Sequence, residues 1–160
     1  MKVLRWLGIA LAIAAASIGL VAWAARFADG PVGLLPGGPF ESGEWVSEEL
    51  IDWTFAAAIP EIDLQSGSPA RSRTTWILVA EGEAYVPCSL SFPPGKTWHH
   101  EALEDPDAVV RIADKRYRRK LVKVDDPPLE QRLIEAVRKK YEPPPSSGGV
   151  WFFRLAAPAR

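Results

Sequence analysis

The stretch that decides the fold reads Thr74-Thr75-Trp76-Ile77-Leu78-Val79-Ala80-Glu81-Gly82-Glu83-Ala84-Tyr85-Val86. Its two arms are rich in β-branched and aromatic residues, which favour strands. The acidic segment between them carries a glycine, which is typical of a turn. The stretch therefore predicts a β-hairpin with strands at 74–80 and 84–86.

The chain beyond this hairpin predicts more short elements. A proline-containing loop is expected at 88–95 and a short helix at 97–104, with Thr97 as its N-cap. A second hairpin is expected with strands at 109–113 and 116–124 and a turn at Asp114-Lys115.

An amphipathic helix and a last strand complete the C-terminal part. Leu129, Leu133, Val137 and Tyr141 recur every four residues, which is the spacing of one helical face. Residues 143–149 are expected to form a mobile loop, and 150–155 a strand.

On the N-terminal side of the hairpin, strands are expected at 45–49 and 61–65, with a short helix capped by Asp52 between them. Residues 27–43 are rich in glycine and proline and are interpreted as a linker. Six strands with two or three short helices favour a mainly β fold, a small barrel, over a parallel α/β sheet. The predicted organisation is a segment at 1–26, the linker, and a barrel domain at 44–160.

The N-terminal segment predicts contact with a membrane. Residues 6–25 contain no charged residue, and a helix of this length spans roughly 30 Å, the thickness of a bilayer's hydrocarbon core. Lys2 and Arg5 precede the run and Arg26 follows it, so the positive-inside rule places the domain on the extracytoplasmic side. A cleaved signal peptide is the alternative, because Ala22-Trp23-Ala24 fits a small-x-small cleavage pattern.

Composition excludes several classes of protein. After residue 26 the chain holds 16 Lys and Arg against 20 Asp and Glu, whereas a nucleic-acid binder would be basic. No phosphate-binding glycine loop is present. Cys88 is the only cysteine, which excludes an intramolecular disulfide and a cysteine-rich zinc site. The thiol is interpreted as a small buried hydrophobe, with a reactive thiol as the alternative.

Three groups of residues are candidates for function. His99-His100 are interpreted as surface or capping histidines, with an axial haem ligand as the alternative. The basic run 116–123 is interpreted as a solvated edge strand, or else as a contact for anionic lipid or phosphate. Arg71 and Arg73 could bind a phosphate or pair with nearby acids.

The order of segments also carries a resemblance. The hairpin at 74–86 is followed by Cys88-Ser89, by Pro94-Gly95-Lys96-Thr97-Trp98, by the helix His99-His100-Glu101-Ala102-Leu103, and by Pro106 and a Val-Arg-Ile strand. This succession resembles the split-barrel flavin-binding superfamily of the pyridoxamine-phosphate oxidase type, and most nearly its deazaflavin-dependent nitroreductase-like branch. It covers residues 61–125, about half of the domain.

The resemblance implies a six-stranded split barrel that binds FMN or a deazaflavin at a homodimer interface. Its cofactor-binding residues would be Arg71, Arg73, Thr75, Ser89, Lys96 and Trp98. The predicted function is that of a membrane-anchored oxidoreductase-like protein whose substrate and catalytic residues are open. The alternative is a non-catalytic exported binding or scaffold module on the same fold, without a cofactor, and haem binding through His99 or His100 is a third hypothesis.

Overall fold

The structure is a computed structural model that describes residues 2–47, 50–141 and 148–158. Its helices are α1 (Lys2–Ala25), α2 (Trp98–Glu104) and α3 (Pro127–Lys140), with one 3-10 helix at Trp53–Ala56. Its strands are β1 (Glu44–Val46), β2 (Glu61–Ser66), β3 (Arg71–Trp76), β4 (Leu78–Ala80), β5 (Glu83–Ser89), β6 (Asp107–Ile112), β7 (Lys115–Lys123) and β8 (Val150–Ala156).

The strands form one sheet in the order β3-β2-β6-β7-β8-β5-β4. The two ends of this order, β3 and β4, are consecutive in the chain and separated only by Ile77. They are two halves of one bent strand, which pairs with β2 through its first half and with β5 through its second. The sheet therefore closes into a six-stranded split barrel, with β1 added in parallel to β7. The predicted fold class is confirmed.

The bend at Ile77 corrects the prediction of a straight strand at 74–80. The backbone N–H of Ile77 donates to the Tyr141 hydroxyl at 3.1 Å. Its carbonyl accepts from Lys140 Nζ at 2.8 Å and lies 2.6 Å from the Tyr141 oxygen. These side chains satisfy the main-chain groups of a buried residue that has left the ladder. The Tyr141 ring also stacks on Trp76 at 4.2 Å.

Two hydrophobic cores lie on the two sides of the barrel wall. The interior core includes Leu64, Val86, Val110 and Phe153, and α2 closes it with Trp98 and Ala102. The exterior core includes Leu78, Tyr85, Leu133, Val137 and Phe152, and α3 covers it. The apolar face predicted for α3 is thus the face that packs on the barrel, and Leu133 and Val137 are its buried residues.

Both hairpins are present, with shifted ends. The first turns through Glu81 (φ 55°) and Gly82 (φ 78°), as predicted, but β5 runs on to Ser89. The loop predicted from residue 88 therefore begins after residue 89. The second turns through Ala113 (φ 45°) and Asp114 (φ 62°), one residue before the predicted position. Asp52 caps the 3-10 helix as predicted.

The prediction that 116–123 is an edge strand is wrong. β7 pairs with β6 on one side and with β1 and then β8 on the other. Lys115 and Arg118 are exposed, whereas other basic residues of β7 are at least partly buried and have partners. Arg119 is 4 % exposed and its guanidinium lies 5.4 Å from the centre of the Trp53 ring. Lys120 Nζ pairs with Asp107 at 2.7 Å.

Helix α1 is long and apolar enough to cross a membrane, and a signal sequence would meet the same test. Residues 26–43, here named the N-terminal strap, follow it along a defined path on the barrel. Gly37 exchanges backbone hydrogen bonds with Ser72 on β3, at 2.9 and 3.3 Å. The Ser72 hydroxyl donates to the Gly38 carbonyl at 2.6 Å. The segment interpreted as a linker is thus attached to the sheet.

A cluster around Arg111 fixes the strap to the outer face of β2 and β6. Arg111 pairs with Asp29 at 2.8 Å and with Asp63 at 3.2 Å, and its guanidinium lies 4.3 Å from the centre of the Phe40 ring. The Asp29 carboxylate also accepts from the backbone N–H of Glu41 and from the Ser42 hydroxyl. The Asp29–Arg111 contact thus joins the strap to a residue 82 positions later in the sequence.

Candidate functional site

Arg73 enters the barrel from β3. It stands opposite Leu64 of β2, so both side chains lie on the interior face. The guanidinium lies 5.2 Å from the centre of the Trp98 ring. Its one direct hydrogen bond in the described chain is at 3.5 Å, from Nη2 to the Arg71 carbonyl, and its Nη1 is buried without a partner there. Burial lowers the pKa of Arg73 to about 10, and the negative charge of Glu101 opposes this shift.

Lys96 brings a second positive charge from the loop before α2. Its Nζ is buried and has no hydrogen-bond partner among the described residues. The charge of Lys96 acts on both the Cys88 thiol and the His99 imidazole. It therefore lies in the same electrostatic neighbourhood as Arg73, whose charge also acts on Cys88.

His99 on α2 is the third such group. It is 5 % exposed, and its Nδ1 is buried without a partner in the described chain. Its ring meets the Trp151 ring edge-on at 5.4 Å and lies 4.1 Å from the His100 ring. Burial lowers the pKa of His99, the charges of His100 and Lys96 lower it further, and Glu101 opposes them. The prediction of a surface histidine is wrong here, whereas His100 is exposed.

These three residues, here named the unpaired cluster, supply every buried side-chain nitrogen or oxygen that lacks a hydrogen-bond partner across 2–47, 50–141 and 148–158. All three are basic side chains, and two of them contain Nη1 and Nζ donors that carry full charge. A buried ion without a partner costs several kcal/mol. An anion between them would offset that cost and satisfy the open donors. The cluster therefore has the chemistry of an anion-binding site.

Cys88 lies beside this cluster and is 2 % exposed. Burial raises the pKa of its thiol to about 11, although Lys96 and Arg73 both act to lower it. Burial thus outweighs the two positive charges, and the thiol stays protonated at neutral pH. The interpretation as a small buried hydrophobe is confirmed.

The other residues named from the resemblance are placed differently. Trp98 packs between Arg73 and the interior core. Thr75 shares the face of Arg73 and stands opposite Ile62. Arg71 donates to the Arg26 carbonyl of the strap at 3.2 Å. Ser89 lies on the face of β5 opposite to Cys88 and accepts from the Phe92 N–H at 3.2 Å. The structure thus brings Arg73, Lys96 and Trp98 together and directs Arg71 and Ser89 elsewhere.

Sequence reasoning missed two residues of the site. The sequence predicts His99 only as a surface or capping histidine or as a haem ligand, since nothing local shows that Trp151, 52 positions later, covers it. Glu101 supplies a negative charge that acts on both Arg73 and His99, and it accepts from the Thr97 hydroxyl at 2.6 Å. Thr97 is thus bonded to a side chain, and although it is the N-cap residue it makes no side-chain cap hydrogen bond.

Two surface cavities lie away from the unpaired cluster. One of about 530 Å³ is lined by Asp52, Glu81 and Glu83 among others, and its acids would repel an anionic ligand. The other, of about 340 Å³, surrounds the Arg111 cluster, whose charges are already paired. Among the described residues no three His, Cys, Asp or Glu side chains are grouped so as to hold a metal ion. Unsatisfied donors, and not cavity volume, therefore identify the candidate site.

Comparison with solved structures supports the fold. A protein from Listeria innocua that is provisionally named a pyridoxamine 5'-phosphate oxidase superposes with a TM-score of 0.51 at 16 % identity, over 68 % of this chain and 93 % of its own. A NimC/NimA family protein from Clostridium acetobutylicum gives a TM-score of 0.45 at 16 % identity, over 60 % of this chain and 73 % of its own. No protein-family model matches the chain, and neither does any curated protein. The chain therefore shares its overall fold with the Listeria innocua protein.

Proposed function

We propose that this chain binds a flavin or deazaflavin cofactor and acts as an oxidoreductase-like protein. The observation that carries the proposal is the unpaired cluster, because Arg73, Lys96 and His99 bury basic nitrogens that have no partner in the described chain. Both FMN and deazaflavin coenzymes carry an anionic phosphate-containing tail, and this donor set fits it. The split-barrel fold agrees with such a ligand.

The residues of the chain would bind and orient the cofactor. Arg73 and Lys96 would hold the anionic tail, and the Trp98 ring under the guanidinium would keep Arg73 in place. The cofactor, when bound, would supply the redox chemistry. The protein therefore needs no nucleophile of its own, which is consistent with a Cys88 thiol that burial keeps protonated.

Location and assembly are parts of the same proposal. Helix α1 would be retained as a membrane anchor through residues 6–25, with the barrel on the extracytoplasmic side.

The cofactor site would be completed by a second copy of the chain in a homodimer. The exposed rim of the cluster at His100 and Glu101 is then where the partner would approach. Light scattering of the detergent-solubilised chain, with and without cofactor, measures this assembly.

A spectroscopic titration tests the cofactor. The full chain, purified in detergent, is titrated separately with FMN, a deazaflavin coenzyme and haemin, and the absorbance and fluorescence of each are followed. We expect saturable binding of FMN or of the deazaflavin. Changing Lys96→Met should weaken it by about thirty-fold or more, because an ion pair would be lost. The control is Lys115→Met, which removes an exposed lysine at the start of β7.

The other two outcomes of this titration would support the alternative functions. If none of the three ligands binds, the chain is a non-catalytic module and the proposal is wrong. If haemin alone binds and shifts its Soret band, the histidines of α2 hold haem instead.

A further inference from the structure

We propose that the N-terminal strap makes a second contact with the membrane, in addition to α1. The contact is the turn formed by residues 32–35, here named the strap tip, which inserts the Val32 and Leu34 side chains into the lipid interface beside the end of α1. The barrel is then held to the bilayer at two points instead of one. The inference rests on the part of the proposed function that retains α1 as an anchor, and it does not depend on the cofactor.

The strap tip is a tight turn made of apolar residues. Val32 and Leu35 exchange two backbone hydrogen bonds, each of 3.0 Å, and Gly33 takes a φ of 60° between them, which glycine adopts without steric cost. Leu34 is 95 % exposed, and Val32 is also exposed. Residues 30–40 contain no charged or polar side chain, whereas turns in water commonly carry Asn, Asp or Ser. The turn thus presents apolar side chains outward.

The strap tip is the end of a closed loop whose base adjoins α1. The Gly38 N–H donates to the Ala28 carbonyl at 3.0 Å, so the two arms of the loop meet three residues after the end of α1. The arms stay close above this base, because a Cβ atom on Gly37 would lie 1.7 Å from the Gly30 carbonyl oxygen. Gly37 is in turn bonded to β3. The tip is therefore carried on a short arm that is fixed to the barrel.

The exposed apolar residues continue from α1 into the strap. The Phe27 ring meets the Trp23 ring of α1 edge-on at 5.1 Å, and both residues are exposed. Aromatic residues at the end of a membrane helix are typical of the lipid interface. Val32 is five positions after Phe27, which is at most roughly 18 Å of extended chain. The tip therefore lies within reach of the bilayer that α1 enters.

A lipid surface fits this patch better than a protein partner does. A stable protein–protein interface covers roughly 800 Å² on each partner, and Phe27, Val32 and Leu34 together expose less than this. Insertion into lipid needs no matched surface and is favourable for each apolar side chain that leaves water. The backbone groups that Val32 and Leu35 pair need no water. Arg26, exposed at the end of α1, is a donor for a lipid phosphate.

Spin labels on single introduced cysteines measure the depth of the strap tip. The full chain is labelled at Leu34→Cys, at Ser17→Cys within α1, and at Glu135→Cys, an exposed site on α3, which packs on β4 and β8 and not on the strap-bonded β3. Each protein is reconstituted into phosphatidylcholine vesicles. Unchanged chain reports the background, because Cys88 is buried and its pKa is about 11. Collisions of each label with oxygen, which is enriched in lipid, are compared with collisions with a water-soluble nickel complex.

We expect the label at position 34 to lie about 5–10 Å below the lipid headgroups, the label at position 17 to lie deeper, and the label at position 135 to lie in water. Adding Val32→Asp to the Leu34→Cys chain should return the label at position 34 to water, because a carboxylate is costly within the bilayer. Val32→Leu is the matched control and should keep that label in lipid. Thermal unfolding reports whether each variant is folded.

Three results would overturn the inference. A label at position 34 in water, with the label at position 17 in lipid, would leave the anchor standing without a second contact. Labels in water at both positions would overturn the anchor and the inference with it. A label at position 34 that neither oxygen nor the nickel complex reaches would mean that protein covers the tip, and magnetic coupling between labels would identify a second copy of the chain. Flavin titration tests the cofactor separately from all three.

Discussion

Arg111 and Arg73 are two partly buried arginines on either side of the same strand, β2, and their surroundings differ. On the outer face Asp63 stands opposite Arg111, and the strap adds Asp29, so the guanidinium is paired twice. On the inner face Leu64, the next residue of β2, stands opposite Arg73. The first arginine has its counter-ions within the chain. The second has a buried charge whose counter-ion the described chain does not provide. This difference distinguishes an arginine that holds the fold from one that is available to a ligand.

The largest expected effect is that of Arg73→Met on cofactor binding. FMN affinity should fall by about a hundred-fold or more, because a charged donor to the phosphate is removed. The free energy of unfolding of the cofactor-free protein should not fall, since methionine replaces an unpaired buried charge with an apolar chain. Flavin titration and urea denaturation measure the two effects. The matched control is Arg71→Met, two residues away and bonded to the strap. A loss of stability without loss of binding would mean that Arg73 is structural.

Arg111→Met should show the opposite behaviour. It leaves Asp29 and Asp63 without their shared cation, and the unfolding free energy should fall by about 2–3 kcal/mol, less than for a fully buried pair because both acids are partly exposed. FMN affinity should stay within about twofold of wild type, as the site lies on the other face. If Arg111→Met and Arg73→Met weakened FMN binding equally, the assignment of Arg111 to the fold and of Arg73 to the ligand would be wrong.

Gly37→Ala should loosen the strap by about 1–2 kcal/mol. A Cβ atom at this position would lie 1.7 Å from the Gly30 carbonyl oxygen, so the backbone has to move. The expected result is faster proteolytic cleavage within 26–43 and a lower denaturation midpoint. Gly33→Asn is the control, because its Cβ meets open space and asparagine tolerates the φ of +60°. Cleavage at the same rate in both variants would contradict a strap held by the Gly37–Ser72 bridge.

The smallest effect concerns acid stability through Asp29. The hydrogen bond from the Ser42 hydroxyl and other contacts lower the pKa of this carboxyl to about 2. A group with a lowered pKa in the folded state contributes stability that is present above its unfolded pKa, about 4. This contribution is lost as the pH falls through about 2. Between about pH 5 and pH 2, the free energy of unfolding should fall less steeply in Asp29→Asn than in the wild type. The difference between the two proteins should total under about 1 kcal/mol. An identical slope would show that Asp29 contributes nothing through its charge.

Local patterns allowed the fold to be predicted, because the elements that carry it are set by near neighbours. The two hairpins follow from β-branched residues around Gly82 and around Asp114, and α3 follows from its four-residue apolar spacing. The edge-strand error at β7 has a different origin. Its basic residues contact Trp53, Asp107 and the strap. These partners are many residues away in the sequence, so no local pattern indicates the contacts.

The candidate site was predictable only through the resemblance, and only in part. Arg73, Lys96 and Trp98, three of the residues that the resemblance names, lie near one another, and their binding of a cofactor stays a prediction. His99 could not be found in this way, since its burial depends on Trp151 from the last strand. Arg71 lies apart from Arg73 because it binds the Arg26 carbonyl of the strap. The path of the strap does not follow from the glycine and proline content of that segment. The predicted loop at 143–149 lies mostly outside the described residues, as do the last residues of the strand predicted at 45–49.

The bridge between Gly37 and Ser72 has a consequence for the solubility of the protein. A strand at the end of a β-sheet order offers a free row of backbone groups on which another chain can pair and start an aggregate. In this barrel the bend at Ile77 takes the second half of that strand to β5, and the strap covers part of the first half. The segment that leads away from α1 therefore also caps a place where foreign strands could add, and it is synthesised before the strand that it protects.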